Sequence, residues 1–363
     1  MTSDPDSAPG LPAGPVLPSS HAVPRSGAVP RPPGGHRSAA GPDPEPDRRP
    51  GAGLDRASDR VPAFDQDADA DRLSRARASL RGLAVGDALG SQFFVPAHYP
   101  ALQSGELPPG PWAWTDDTEM ACSVLAVLAA HGRIDQDALA WSFAEHHDFD
   151  RGYGPAVNRM LRLIRQEGGD WRELAAGLFN GQGSWGNGAA MRIAPLGAWY
   201  AGDPERAAHQ AEISAHTTHR HQEAVAGARA VAAATALVAG PAGPGTPDAL
   251  LGAVLDLVPR SAVHAGIRRA RDMLDYDDVA TVAAVLGCGR HTSAQDTVPF
   301  ALWAAVRHLD DYEQAFWTTA RAGGDVDTNC AIVGGVVAAR PGGEPPTAWT
   351  RRTEPLPQWA GVS

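Results

Sequence analysis

The chain has 363 residues, a formal net charge of −11 and 6% aromatic residues. That charge argues against non-specific binding to nucleic acid, though not against a phosphate-bearing ligand held by backbone amides. Cys122, Cys288 and Cys330 form no CxxC pair, and no uncharged apolar span is long enough for a membrane helix or a signal peptide, so reduced thiols in a cytoplasmic protein are expected.

Residues 1–72 read as a disordered tail. Up to Arg60 the stretch is dominated by Pro, Gly, Ala, Ser, Asp and Arg, with almost no aromatic or long aliphatic residues. Such a segment cannot bury enough apolar surface to offset its ordering entropy. Asp65, Asp67, Asp69 and Asp71 alternate like the start of a calcium loop. The sixth position is Ala70 and the twelfth is Ala76, where glycine and glutamate are required, which rejects that reading. Residues 73–361 remain, the size of one large domain.

Helical signals dominate this domain. The stretch 80–89 is apolar and glycine-containing, with a single acid, Asp87. Spaced apolar residues mark 138–146 and 156–165, and 224–238 is alanine-rich. The stretch 294–308 follows a Thr292-Ser293 cap, and 331–339 closes the set. Period-2 alternation is scarce, so the expected fold class is all-α.

Two acidic clusters stand far apart in the chain and look alike. The first is Trp114-Thr115-Asp116-Asp117-Thr118-Glu119 and the second is Gly323-Gly324-Asp325-Val326-Asp327-Thr328-Asn329. Each supplies two carboxylates and a threonine hydroxyl just before an apolar run. Taken singly, each reads as a helix cap: Asp116 with Glu119 resembles a capping box, and Asp325 is a good N-cap. A cap needs one oxygen, however, and the duplication favours a metal site. Hard oxygen ligands suit Mg²⁺ or Mn²⁺ rather than zinc. An all-α prenyl-diphosphate enzyme is the other Mg²⁺-dependent class, but the DDxxD spacing fails at Met120.

Between the clusters lie four more polar stretches. His146, His147, Asp148 and Asp150 precede Arg151-Gly152-Tyr153-Gly154. Phe179-Asn180-Gly181-Gln182-Gly183-Ser184-Trp185-Gly186-Asn187-Gly188 holds a formal GxGxxG. A dinucleotide fold needs a strand before it, whereas 171–179 reads as a helix and Asp203-Pro204 as the start of another. The better reading is a loop whose amides cradle a pyrophosphate, with Phe179 and Trp185 placed to stack on a base. His216, His219 and His221 lack a nearby fourth zinc ligand, so one histidine is expected in a pocket and the others in solvent. Asp275, Asp277 and Asp278 read as a solvated turn.

Together these motifs resemble the ADP-ribosylglycohydrolase family over about 82–340. Gly86-Asp87-Ala88-Leu89-Gly90 is similar to its opening helix, Thr115-Asp116-Asp117-Thr118 to its first metal motif and Gly324-Asp325-Val326-Asp327-Thr328 to its second. Arg151-Gly152-Tyr153-Gly154, the loop from Gly183 to Arg192, and Thr218-His219 follow in the family's order. The resemblance implies an all-α fold with two Mg²⁺ ions, or Mn²⁺, in one cleft. Thr115, Asp116 and Asp117 would hold one ion, and Asp325, Asp327 and Thr328 the other. Gly183, Ser184, Trp185, Gly186, Asn187 and Gly188 would contact the diphosphate and distal ribose, together with His219, while Phe179 would stack the adenine.

The implied activity is hydrolysis of a glycosidic bond, releasing ADP-ribose from a modified protein, nucleic acid or small molecule. A monomer with no membrane partner and no stable nucleic-acid partner is expected. One departure stands out: Phe94 falls where much of the family has a glutamate near the scissile bond. If the protein turns over, Asp150 is the favoured acid/base and Glu106 the second candidate, or metal-bound water suffices. If it does not, it is an ADP-ribose-binding relative. Asp87 is either support for the metal ligands or a buried acid satisfied by neighbouring caps.

Overall fold

The computed structural model describes residues 66–361 except residue 244. Most of the expected tail, 1–65, lies outside the described residues. Among the described residues every regular element is a helix, as the patterning predicts; two isolated bridges, Trp112 to Thr353 and Gly186 to Ser293, are the other pairings. No helix among them is long and apolar enough to cross a membrane.

Six helices frame the site: α1 (Gln66–Ser91), α2 (Asp116–His131), α3 (Gly188–Met191), α4 (Gln222–Ala239), α5 (Ala294–Arg307) and α6 (Val326–Val337). α1 takes in 66–72, which the sequence reading gave to the tail. The apolar face of α1 begins just after this stretch: Leu73, Ala76, Leu80 and Leu83 recur at three- and four-residue spacing, and the last three are fully buried. α4 carries alanine on every side and is buried nearly all round, the pattern of a central helix. The expected helices 138–146 and 156–165 lie within Gln136–His146 and Pro155–Glu167. The helix expected over 171–179 stops earlier, as Trp171–Gly177.

The contact that matters most for function joins α1 to α6. Gly82 faces Gly334 and Ala338, Gly86 faces Cys330, and Gly90 faces Val326 and Asp327, so the two helices run antiparallel. A Cβ on Gly86 would lie 2.1 Å from the Cys330 carbonyl oxygen, and one on Gly82 would lie 2.2 Å from the Ala338 Cβ. Only glycine permits backbones this close. Ser79 adds a cross-link, donating through Oγ to the Gly335 carbonyl (2.7 Å). The close approach carries Asp87 on α1 to the first turn of α6, where Asp327 stands.

Candidate active site

The N-termini of α2 and α6 bring the two acidic clusters together. Ligand oxygens of Asp87, Asp117 and Asp327 all lie within 4.8 Å of one another. Asp87 joins them from α1, fully buried, and its carboxylate organises the start of α2. Its Oδ2 accepts from the Thr115 amide (2.9 Å), the Thr118 amide (3.2 Å) and the Thr118 hydroxyl (2.5 Å). Its Oδ1 accepts from the Thr115 hydroxyl (2.8 Å). Asp87 is thus a buried acid satisfied by the first turn of α2, and its place beside Asp117 and Asp327 is compatible with support for metal ligands there.

The capping expectations change accordingly. Thr115, not Asp116, is the N-cap of α2. Glu119 is not the partner of a capping box; its Oε2 accepts from the Tyr153 hydroxyl (2.7 Å) and the Asp148 amide (3.1 Å). Asp325 occupies the N-cap position of α6 without capping through its side chain. Its Oδ2 instead accepts from Asn187 Nδ2 (2.7 Å), which also reaches Thr297 Oγ1 (3.0 Å). Asn187, expected on the diphosphate, thus orients a cluster carboxylate.

The oxygens fit a divalent cation. The Thr115 hydroxyl lies 2.8 Å from Asp87 Oδ1 and 3.0 Å from Asp117 Oδ2, yet it has one proton to give. Asp117 Oδ1 is buried with no hydrogen-bond partner. Burial, then the neighbouring Asp87 carboxylate, pushes Asp116 up to about 8. Burial, then Asp87 and Asp327, pushes Asp117 well above the usual carboxylate range. Burial, then Asp325 and Asp87, does the same to Asp327. Carboxylates this crowded need protons or cations between them, and an all-oxygen set selects a hard cation.

This has a measurable consequence. The folded metal-free protein holds protons on these groups that the unfolded chain has already released. Its stability should therefore fall as pH rises from the ordinary carboxylate range through about 8, the folded value for Asp116. Saturating Mg²⁺ needs the deprotonated oxygens, so it should add most stability at the alkaline end. Melting curves across this window, with chelator and with Mg²⁺, check the expectation; parallel pH profiles would oppose it.

A cleft of about 500 Å³ opens over the cluster. Asp116, Asp117, Asp325, Asp327 and Thr328 line it, as do Phe179, Ser184, Trp185, Gly186, Asn187, Gly188 and His219. Thr115 does not line it; its hydroxyl lies beneath, between Asp87 Oδ1 and Asp117 Oδ2. Gly183 does not either: it packs on the Arg220-His221 backbone, where a Cβ would stand 2.9 Å from the His221 amide nitrogen. The glycine loop offers fewer free amides than the cradle reading assumes. Gly183 donates to the Leu178 carbonyl, Asn187 to the Thr292 carbonyl, and Gly186 to Ser184 Oγ.

The aromatic pair is present: Phe179 and Trp185 rings stand 4.6 Å apart, both partly exposed. Phe179 and Asn180 adopt positive φ, a strained turn that places the ring at the cleft. Of the three histidines, His219 alone lines the cleft. Burial, then the nearby Arg192 charge, pushes it down to about 3, so it is neutral at working pH. His221 is not simply solvated; its Nδ1 caps α4 by accepting from the Glu223 amide (3.2 Å).

Asp150 and Glu106 are not brought to the cleft. Both are exposed and neither lines it. The backbone just beyond Asp150 does: Gly152, Gly154, Pro155, Ala156 and Val157 form one wall. Arg151 fixes that wall, with its guanidinium forked onto Glu354 (2.7 and 2.8 Å), donating to the Trp114 carbonyl (2.9 Å) and lying 3.6 Å over the Trp114 ring. His291 and Thr292 complete the rim. The Arg151-Gly152-Tyr153-Gly154 motif is legible in the sequence as one of the family's, though without a place in the cleft; Pro155, Val157 and His291 carry no such signal there. Phe94 is 53% exposed and outside the lining.

The chain matches the ADP-ribosylglycohydrolase family over residues 68–360. Human ADP-ribosylhydrolase ARH3 is 29% identical over 328 residues, covering 78% of this chain and 90% of that protein. ADP-ribosylarginine hydrolase Tri1 of Pseudomonas putida (strain GB-1) is 27% identical over 316 residues, covering 79% and 77% respectively. A solved ADP-ribosylglycohydrolase-related protein complex is similar with a TM-score of 0.58 at 26% identity, covering 81% of this chain and 96% of that one. Matched along nearly the whole of its described length, in sequence and in helical fold, this chain belongs to the ADP-ribosylglycohydrolase family.

Proposed function

We propose that the protein is a Mg²⁺-dependent hydrolase that cleaves the glycosidic bond of ADP-ribosylated targets and releases ADP-ribose. The observation that carries this reading is the placement of two acidic motifs and a partly exposed aromatic pair in one cleft. Two Mg²⁺ ions held by Asp116, Asp117, Asp325, Asp327 and Thr328 would lower the pKa of a water and orient ribose hydroxyls. The chain's own groups do the rest. Phe179 and Trp185 offer faces for the adenine. Neutral His219 offers a hydrogen bond beside the glycine loop without adding charge. Carboxylates beside the anomeric carbon would favour the positive charge of an oxocarbenium-like transition state.

Among the described residues, the cleft lining contains no carboxylate besides these four aspartates. Asp150→Asn and Glu106→Gln are therefore expected to keep rates within about threefold of wild type, against the roughly hundredfold or greater loss for a true general acid/base. The same observation, with Phe94 in the glutamate's place, favours one second reading: a protein that binds ADP-ribose without turning over. A panel of serine-, arginine-, nucleobase- and ester-linked ADP-ribose substrates separates the two. The arginine linkage belongs on the panel because one relative is named for it. Release of ADP-ribose from at least one substrate supports the hydrolase. Tight ADP-ribose binding with no release from any would establish the binding-only reading instead.

A further inference from the structure

We propose that Arg192 is a positioning residue that clamps the glycine loop to the turn carrying His219. Arg192 follows α3 directly and is fully buried. Its Nη1 donates to the Gly188 carbonyl (3.2 Å) and its Nη2 to the Ser214 carbonyl (3.1 Å). The Ser214 carbonyl is where the chain turns toward His219, because Thr217 also donates to it from its amide (3.3 Å) and its hydroxyl (2.8 Å). One guanidinium thus holds both walls of the cleft. Between them the fit is tight: a Cβ on Gly188 would stand 2.7 Å from His219 Cε1 and 2.8 Å from Nε2. A planar fork can hold two carbonyls on divergent segments at once; a single ammonium matches that geometry poorly.

Packing alone does not account for an arginine here. The Met120 sulfur lies 3.6 Å from its Nη1 and the Phe143 ring 4.6 Å from its guanidinium carbon, Tyr153 and Asp116 act on it electrostatically, and among the described residues its Nε has no hydrogen-bond partner. Among the described residues no carboxylate forms an ion pair with it. Burying an unpaired cation is costly, and an aliphatic side chain would fill the space at less cost. What the cation adds is the two-carbonyl clamp and a positive charge behind the cleft. The ADP-ribose arm of the test below rests on the functional reading above.

The test compares Arg192→Met, which fills much of the volume without the fork, with Arg192→Lys, which keeps the charge. In ligand-free protein, NMR follows the His219 imidazole nitrogens and the Gly186 and Gly188 amides. Calorimetry then measures ADP-ribose and Mg²⁺ affinity separately. Arg192→Met should shift or broaden the His219 and loop signals. Its ADP-ribose affinity should fall at least about tenfold, the scale of one lost charged hydrogen bond. Arg192→Lys should recover part of that loss, with Mg²⁺ affinity unchanged in both. A filler role would leave methionine as good as lysine and would overturn the clamp. If the wild type binds no ADP-ribose, the functional reading fails, and the NMR arm still decides the clamp: unshifted His219 and loop signals in folded Arg192→Met would sink it. If Arg192→Met does not fold, the same signals in Arg192→Lys decide, and a spectrum identical to wild type overturns the proposal.

Discussion

Asp327→Asn should lower Mg²⁺ affinity at least about a hundredfold, since even the outer partners of a metal site typically cost ten- to a hundredfold. Turnover should fall with it. The substitution keeps shape and spares the local hydrogen bond, because an asparagine oxygen can still accept from the Thr328 amide that now meets Asp327 Oδ1 (2.8 Å). The metal-free variant should be more stable than metal-free wild type at neutral pH. Its buried carboxylate, pushed well up by burial and by Asp325 and Asp87, no longer has to be charged or protonated. Calorimetric Mg²⁺ titration and melting with chelator check both halves. Loss of metal affinity together with loss of metal-free stability would mean that Asp327 is a structural acid. Unchanged Mg²⁺ affinity would remove it from the site.

Gly86→Ala should destabilise the protein strongly, in the direction opposite to helix propensity. On propensity alone, alanine in mid-helix is favoured over glycine by about 1 kcal/mol. Here the new Cβ would meet the Cys330 carbonyl oxygen at 2.1 Å and its carbon at 2.7 Å. Both are backbone atoms of α6 and cannot turn away. Overpacking of this kind costs about 1–3 kcal/mol, and more where the backbone must move. Because the backbone must move here, a net cost of about 3 kcal/mol or more is expected, a fall of at least about 6 °C in Tm at roughly 2–4 °C per kcal/mol. Mg²⁺ affinity should fall too, because the same contact brings Asp87 to Asp327. Gly177→Ala is the control: nothing lies within 4 Å of a Cβ there, and it should be neutral or mildly stabilising. Equal melting temperatures for the Gly86 and Gly177 variants would refute the close packing of α1 on α6.

Those two variants also mark what the sequence reveals and what it hides. The acidic motifs are legible because each packs its ligands into adjacent positions before an apolar run. Two such motifs supply more oxygens than capping needs. The contact that unites them is harder to read. Gly82, Gly86 and Gly90 recur every fourth residue, but in one dimension they look only like weak helix formers. Their meaning depends on Gly334 and Cys330, some two hundred and fifty residues later. Side-chain commitments are hidden for the same reason. Thr115 and Asn187 carry ligand-type groups in the right motifs, yet each also meets a carboxylate from a distant segment, Asp87 and Asp325 respectively. Asp150 fails differently: its neighbours at Gly152 and Gly154 reach the cleft, and sequence adjacency does not say which side of a turn a carboxylate occupies. The three histidines are distinguished by burial, which depends on Arg192 and the glycine loop packing around one of them.

The most direct test of the whole account is ADP-ribose release measured against Mg²⁺ concentration, starting from chelator-stripped protein and using the best substrate of the panel. The account predicts no release without the cation, saturable recovery as Mg²⁺ is added, and no recovery in Asp327→Asn over the range that saturates wild type. Release that proceeds at the full rate in excess chelator would contradict it.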